Sequence, residues 1–181
     1  MRKNLIAFLL IISSSVFAQS PLSRVEVVNV DGISKEELYQ RLEKWAQDYF
    51  LASTDNVSYD SESGKIIAKS RIDYAQVANM GLNQFSCSVA YVLTVEARDG
   101  RYRYDLGRFD HSGKYYKGNQ DFNLGVLTDQ EPEPIGGKKS AAPITKKLYT
   151  YAVEQINSKS EEIIASLKEA MASSSSTETD W

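Results

Sequence analysis

Three arginines, Arg98, Arg101 and Arg103, crowd the dipeptide Asp99-Gly100. A guanidinium offers paired N–H donors in a rigid fork, the shape that grips a carboxylate, sulfate or phosphate in bidentate fashion. Further along, Tyr115 and Tyr116 stand between Lys114 and Lys117, where amphipathic rings can stack on a sugar or a peptide. These five residues, Arg98, Arg101, Arg103, Tyr115 and Tyr116, are the ligand-binding set that the sequence nominates. Each group also has a plainer use: Glu96 and Asp105 can neutralise the arginines on a solvated sheet face, and the tyrosines can fasten a loop to the body. Asp110-His111 is the one pair to weigh as a general acid/base, at the end of the last main strand, and it contains the single histidine of the chain. No nucleophile or orienting partner accompanies it, and a lone histidine in such a place is usually a surface residue. Gly-x-Ser-x-Gly, His-Glu-x-x-His, a glycine-rich phosphate loop and paired-cysteine metal sites are all missing. The sequence therefore nominates no catalytic, cofactor-binding or metal-ligating residue.

The arginines must be positioned by a hairpin. Two alternating segments within Phe85 to Phe109 meet at Asp99-Gly100, and a two-residue type I′ loop there sets Arg98 against Arg101, Ala97 against Tyr102, Val95 against Tyr104 and Leu93 against Leu106. One face is then apolar. On the other, Glu96 meets Arg103 and Thr94 meets Asp105, so both faces fit one register, and a slip by one residue would turn every tyrosine outward. Cys87 falls in phase with Phe85, Val89 and Tyr91. As the only cysteine it has no internal disulfide partner, and a small buried hydrophobe is its expected role.

Around the hairpin, Arg24 to Val30 reads as a strand with apolar residues on both sides, which suits a strand with neighbours. Ser34 followed by Glu37 is a capping box that opens a helix, whose stripe is Leu38, Leu42, Trp45, Ala46 and Tyr49. Asn56 to Asp60 and Lys65 to Asp73 pair around Ser61-Glu62-Ser63-Gly64, with Asp60 opposite Lys65, Tyr59 opposite Ile66 and Val57 opposite Ala68. Tyr74 to Gln84 is left as a connection. From residue 110 to 143, glycines and prolines interrupt every element, which predicts a long, partly disordered loop, pinned by Phe122, Leu124, Val126 and Leu127. A stripe of Leu148, Ala152, Ile156, Ile163, Leu167 and Ala170 follows, and predicts a helix over 144–172. Ser158 and Glu161 form a second possible capping box, so two helices with a break near Asn157 are the alternative to one continuous helix. A Ser/Thr tail, 173–181, closes the chain. The order β-α-β-β-β-β-α, with one apolar sheet face and two single-striped helices, predicts an α+β two-layer sandwich.

The first residues address the compartment. Arg2-Lys3, the apolar run Leu5 to Ile12, and Val16-Phe17-Ala18 form the three regions of a signal peptide, 1–18, with cleavage between Ala18 and Gln19. A periplasmic or secreted protein is expected, with no membrane span after cleavage. Loss of Arg2 and Lys3 leaves 19 basic against 24 acidic residues, a net charge of −5. That balance argues against nucleic acid as a partner.

The first strand ending in Asp31-Gly32, the run Ser34-Lys35-Glu36-Glu37-Leu38-Tyr39 with Trp45, Gly64-Lys65-Ile66-Ile67, and Tyr91-Val92-Leu93-Thr94-Val95 with Asp99-Gly100-Arg101-Tyr102-Arg103-Tyr104 carry a resemblance. Together they resemble the family described as a domain of unknown function with a TBP-like fold, found in exported proteins of Bacteroidetes-type bacteria. The resemblance spans Arg24 to Phe109, within an expected core at 19–109. It implies a curved antiparallel sheet with helices on one face, and no catalytic residues or cofactors to carry over. Fold likeness to the TATA-binding protein does not bring DNA binding with it, since a minor-groove saddle needs a basic face. The expectation is an exported envelope protein that acts as a non-catalytic binding module for an envelope protein or small ligand, through its open sheet face or residues 110–143. The alternatives are a hydrolase or isomerase with a site near Asp110 and His111, and a structural or assembly protein that joins copies through an exposed strand edge.

Overall fold

The computed structural model describes residues 19–50, 56–78, 83–117 and 120–173. The expected signal peptide and residues 174–181 of the expected tail lie outside the described residues. The elements run β1 (Ser23–Asn29), α1 (Lys35–Tyr49), β2 (Val57–Asp60), β3 (Lys65–Ala78), β4 (Asn83–Arg98), β5 (Arg101–Tyr115), β6 (Gln120–Asp121), β7 (Gly125–Val126) and α2 (Ala142–Ala172), with two short 3₁₀ turns before α2. All strands pair antiparallel in one curved sheet of order β1-β5-β4-β3-β2, and β6 and β7 add to β5 beyond the end of β1. Both helices cover the same face. The architecture is the expected α+β sandwich.

The β4–β5 ladder has the expected register at every pair, from Arg98 opposite Arg101 to Leu93 opposite Leu106. The loop itself differs: Gly100 takes φ 70° while Asp99 has no positive φ, so it lacks the two left-handed residues of a type I′ turn. The reason is tertiary. Gly100 donates its N–H to the Ile33 carbonyl and accepts from Val30 N–H, while Asp99 Oδ1 accepts from Lys35 N–H at 2.9 Å, so the loop is moulded by β1 and the start of α1. Ser34 caps α1 as expected, its Oγ accepting from Glu37 N–H at 3.2 Å.

A β-bulge governs the second half of the hairpin. Ala90 faces Asp110 but Val92 faces Gly107, which leaves Tyr91 opposite both Arg108 and Phe109, and Arg108 sits in the left-handed region at φ 55°. Before the bulge the even residues Tyr102, Tyr104 and Leu106 point to the helices; after it the odd residues Phe109, His111 and Gly113 do. With this change of phase β5 continues to Tyr115, so the segment expected as the start of a loop is strand. Residues 116 to 141 hold β6, β7 and the two 3₁₀ turns. Likewise β3 runs on to Ala78 and β4 begins at Asn83, which takes up most of the presumed connection between Tyr74 and Gln84.

The core is the layer between sheet and helices. Leu38, Leu42, Trp45 and Ala46 of α1 and Ala152, Ile156, Ile163, Leu167 and Met171 of α2 are buried against Val89, Tyr91, Leu93, Val95, Tyr102 and Leu106, while Leu148 of α2 packs in a second cluster with Phe85 and Cys87. α2 is one unbroken helix with Pro143 in its first turn, where a missing N–H costs nothing. Ser158 lies inside it and starts no second helix; Asn157 uses its Oδ1 to accept from Arg24 Nη2 at 2.6 Å. β1 corrects a further expectation. It ends the sheet rather than lying within it, and Val25 and Val27 are 50% and 53% exposed. Val28, on the helix side, is half-buried against the core.

Candidate functional site

The hairpin end of the uncovered face carries the nominated arginines. Period-two alternation places Glu96 and Arg98 of β4 with Arg101, Arg103 and Asp105 of β5 on that face, and β1 sets Val27 directly opposite Arg103. Val27, Glu96, Arg98, Arg101, Tyr102 and Arg103 line a depression of about 270 Å³. Arg98 donates from Nε (2.9 Å) and Nη2 (2.7 Å) to Glu96 Oε1, and Arg103 Nη2 lies 3.3 Å from Asp105 Oδ2. The Arg98 guanidinium holds the Glu96 carboxyl below the usual carboxylate range, with Lys65 and Arg103 adding to it. Thus Glu96 and Asp105 neutralise two of the three arginines, in exposed pairs of small energetic weight. Arg101 has no ion-pair partner among the described residues. The arrangement supplies an open cation beside an apolar valine wall. It can bind an anion.

The two tyrosines are elsewhere. Tyr115 ends β5 opposite Phe85, its ring 5.5 Å from that of Phe85 and 6.2 Å from that of Phe122, so it fastens the β5–β6 turn to the sheet. Tyr116 is 80% exposed. Along β5 the tyrosines lie at the opposite end from the arginines, roughly 40 Å or more of strand away as the chain runs, so the structure does not bring the five residues into one site.

Asp110 and His111 point to opposite faces. Asp110 is exposed, whereas His111 is 1% exposed, so the expected surface histidine is a buried one. Its Nδ1 accepts from Leu124 N–H at 3.3 Å, which ties the β6–β7 excursion to β5, and its Nε2 is buried with no hydrogen-bond partner among the described residues. Burial lowers the imidazole pKa. Around it stand the Tyr74 ring at 6.3 Å and Gly113, where a Cβ would lie 3.2 Å from His111 Cε1 and 3.3 Å from Cys87 Sγ. Cys87 is buried, as expected, and desolvation pushes its thiol up to about 11, far from a thiolate nucleophile at neutral pH. His111 is thus a neutral packing and hydrogen-bonding group away from the arginines. Among the described residues no cluster of three or more His, Cys, Asp or Glu is placed to hold a metal, and no helix is long and apolar enough to cross a membrane.

Val27 and Tyr102 line the depression without having been nominated by the sequence, which set Tyr102 on the apolar face of the hairpin. β1 is valine-rich on both faces, so its own pattern does not say which valines turn to the arginines; only the pairing with β5 does.

A curved antiparallel sheet covered by helices on one face places the chain among proteins of TBP-like fold. Residues 25–112 match the family described as a domain of unknown function (DUF4468) with TBP-like fold. Two solved structures share the fold. A TBP-like protein from Parabacteroides distasonis superposes with a TM-score of 0.58 at 14% identity, over 83% of this chain and 92% of that one. A DUF4468 family protein from Bacteroides ovatus gives 0.54 at 13% identity, over 86% and 89%. No curated protein matches the sequence.

Proposed function

We propose that this protein is an exported, non-catalytic binding module that takes up an anionic group, a carboxylate, sulfate or phosphate, at the Arg98, Arg101 and Arg103 depression. The observation that carries this is Arg101: a guanidinium with no ion-pair partner among the described residues, beside Val27 and between two arginines held in place by Glu96 and Asp105. Two fixed guanidinium groups orient the ligand, while the free one supplies the uncompensated charge. Val27 favours a ligand with an apolar portion next to its anion. Export rests on the signal-peptide pattern of residues 1–18 and is checked by N-terminal sequencing, which should begin at Gln19.

Nuclear magnetic resonance titration with inorganic pyrophosphate and with succinate at low salt tests the site. The Nε–H signals of Arg98, Arg101 and Arg103 should move in concert with saturation. Movement confined to residues around Tyr116 would relocate binding to the far end of the hairpin and overturn the arginine site.

A further inference from the structure

β1 leaves a row of backbone groups with no partner strand among the described residues. Val30 donates its N–H to Gly100 O at 2.8 Å, so its backbone points into the sheet. By the alternation of an antiparallel ladder, Arg24, Glu26 and Val28 point inward too, toward β5, and the N–H and C=O groups of Ser23, Val25, Val27 and Asn29 point out from the sheet. The same four residues turn exposed side chains to the open face. One of these outward groups, the Ser23 carbonyl, accepts from its neighbour Arg24 Nη1 at 3.0 Å.

Free edges are normally blunted by charge, proline, bulges or brevity. The opposite edge of this sheet follows that rule: β2 has four residues, and β3 beyond it presents Lys69, Arg71 and Asp73 on the open face. β1 has seven residues, an unbroken register, no proline and no lysine, and its open-face side chains are Ser23, Val25, Val27 and Asn29.

We infer that β1 is a self-pairing edge: it joins antiparallel to β1 of a second copy, about a two-fold axis at Val25. Hydrogen bonding requires outward residues to face outward residues, which leaves three registers with a valine at or beside the axis; an axis at Val27 sets Glu26 opposite Val28 and Arg24 opposite Val30, with no charge paired. An axis at Glu26 would put Glu26 against its own copy, a like-charge pair. An axis at Val25 puts Val25 opposite Val25, Ser23 opposite Val27, and Arg24 opposite Glu26 twice over. The charges of β1 are therefore complementary to themselves in one register alone, as an isologous contact demands. Glu26 already accepts from Lys168 Nζ at 2.8 Å and from Tyr104, and Arg24 of the copy would add a second cation across the ladder. The ladder stops where Asn29 would meet Pro21, which has no N–H. It contains about six backbone hydrogen bonds, two for each pair of outward residues. The two sheets become one, with the arginine depressions on the same side of it.

The test uses protein expressed from the full-length sequence, with sedimentation equilibrium from micromolar to millimolar and residue-resolved amide exchange. The protein should dimerise reversibly. In the dimer the Val25 and Val27 amides should exchange at least tenfold more slowly than in the monomer, while the Val28 amide, bonded within the subunit, should change little. Val25→Lys, an exposed change that places like charges at the axis, should weaken the dimer at least tenfold; Val126→Lys, at an equally exposed valine of β7, should leave it within twofold. A strict monomer at millimolar concentration overturns the inference. So does a dimer whose Val25 and Val27 amides stay unprotected, a result that does not depend on any variant folding.

Discussion

The Asp99 carboxylate sits on the amino end of α1, its Oδ1 accepting the Lys35 N–H at 2.9 Å. Lys35 is the first residue of the helix, so its amide has no partner within it. One side chain thus caps the helix and fixes the loop that spaces the arginines. Asp99→Ala should lower stability by about 1 kcal/mol, the ordinary worth of a capping carboxylate. A shift of the urea midpoint at unchanged slope measures this. The same variant should weaken anion binding, because Arg98 and Arg101 flank the loosened loop; an unchanged midpoint would show that Gly100 and Val30 hold the loop without Asp99.

Stability should fall as the solution is acidified from pH 7 to pH 5. Burial lowers the His111 pKa from its ordinary 6.5, so below that value the unfolded chain binds a proton that the folded one resists. The stability lost therefore accumulates as pH falls through the unfolded pKa and stops once the folded pKa is passed. With one histidine in the chain, the slope should not exceed about 1.4 kcal/mol per pH unit. Glu26, Asp60, Glu96 and Glu162 shift the other way: hydrogen bonds and cations hold them low, so their contributions are lost only at lower pH, through and below the carboxylate range. Denaturant titrations at several pH values read the slope, and His111→Phe should abolish it between pH 7 and 5 whatever its effect on baseline stability.

Arg108 is the only described residue other than glycine with a positive φ. A β-branched side chain tolerates that conformation poorly, so Arg108→Val should cost roughly 1–2 kcal/mol. Arg108→Gly should be close to neutral, since glycine removes the left-handed strain and adds chain entropy to the unfolded state. Equal losses in the two variants would mean that the Arg108 side chain, rather than its backbone, sustains the bulge.

That bulge also explains what the sequence did and did not disclose. Up to Leu106 the alternation of β5 is unbroken, and the hairpin register follows from it, down to Val27's neighbour Arg103. Past Arg108 the pattern changes phase by one residue, so His111 and Gly113, which look like loop residues when counted from Leu106, are inward-facing strand positions. Gly107 is the one bulge signal there, but the left-handed residue is Arg108, a type rare in that region, so the residue types do not say where the phase changes. β1 hid its position for a related reason. Valine on both faces suits an inner strand and an edge strand alike, and the order of strands depends on pairing partners distant in sequence. The arginine constellation was legible because all three residues lie within six positions of one turn; the tyrosines, separated from them by the length of β5, were read as a site only because spacing in sequence carries no three-dimensional distance.

An anion site whose uncompensated charge comes from Arg101 should lose affinity when that charge is removed. Titration calorimetry with pyrophosphate at low salt tests it most directly, comparing the unaltered protein with Arg101→Gln and with Arg71→Gln, an exposed arginine on the same face that is paired with Asp73. A charged hydrogen bond is worth enough that Arg101→Gln should weaken binding about tenfold or more, and Arg71→Gln should leave it within twofold. Equal losses from both variants, or binding that Arg101→Gln leaves intact, would show that Arg101 does not hold the anion.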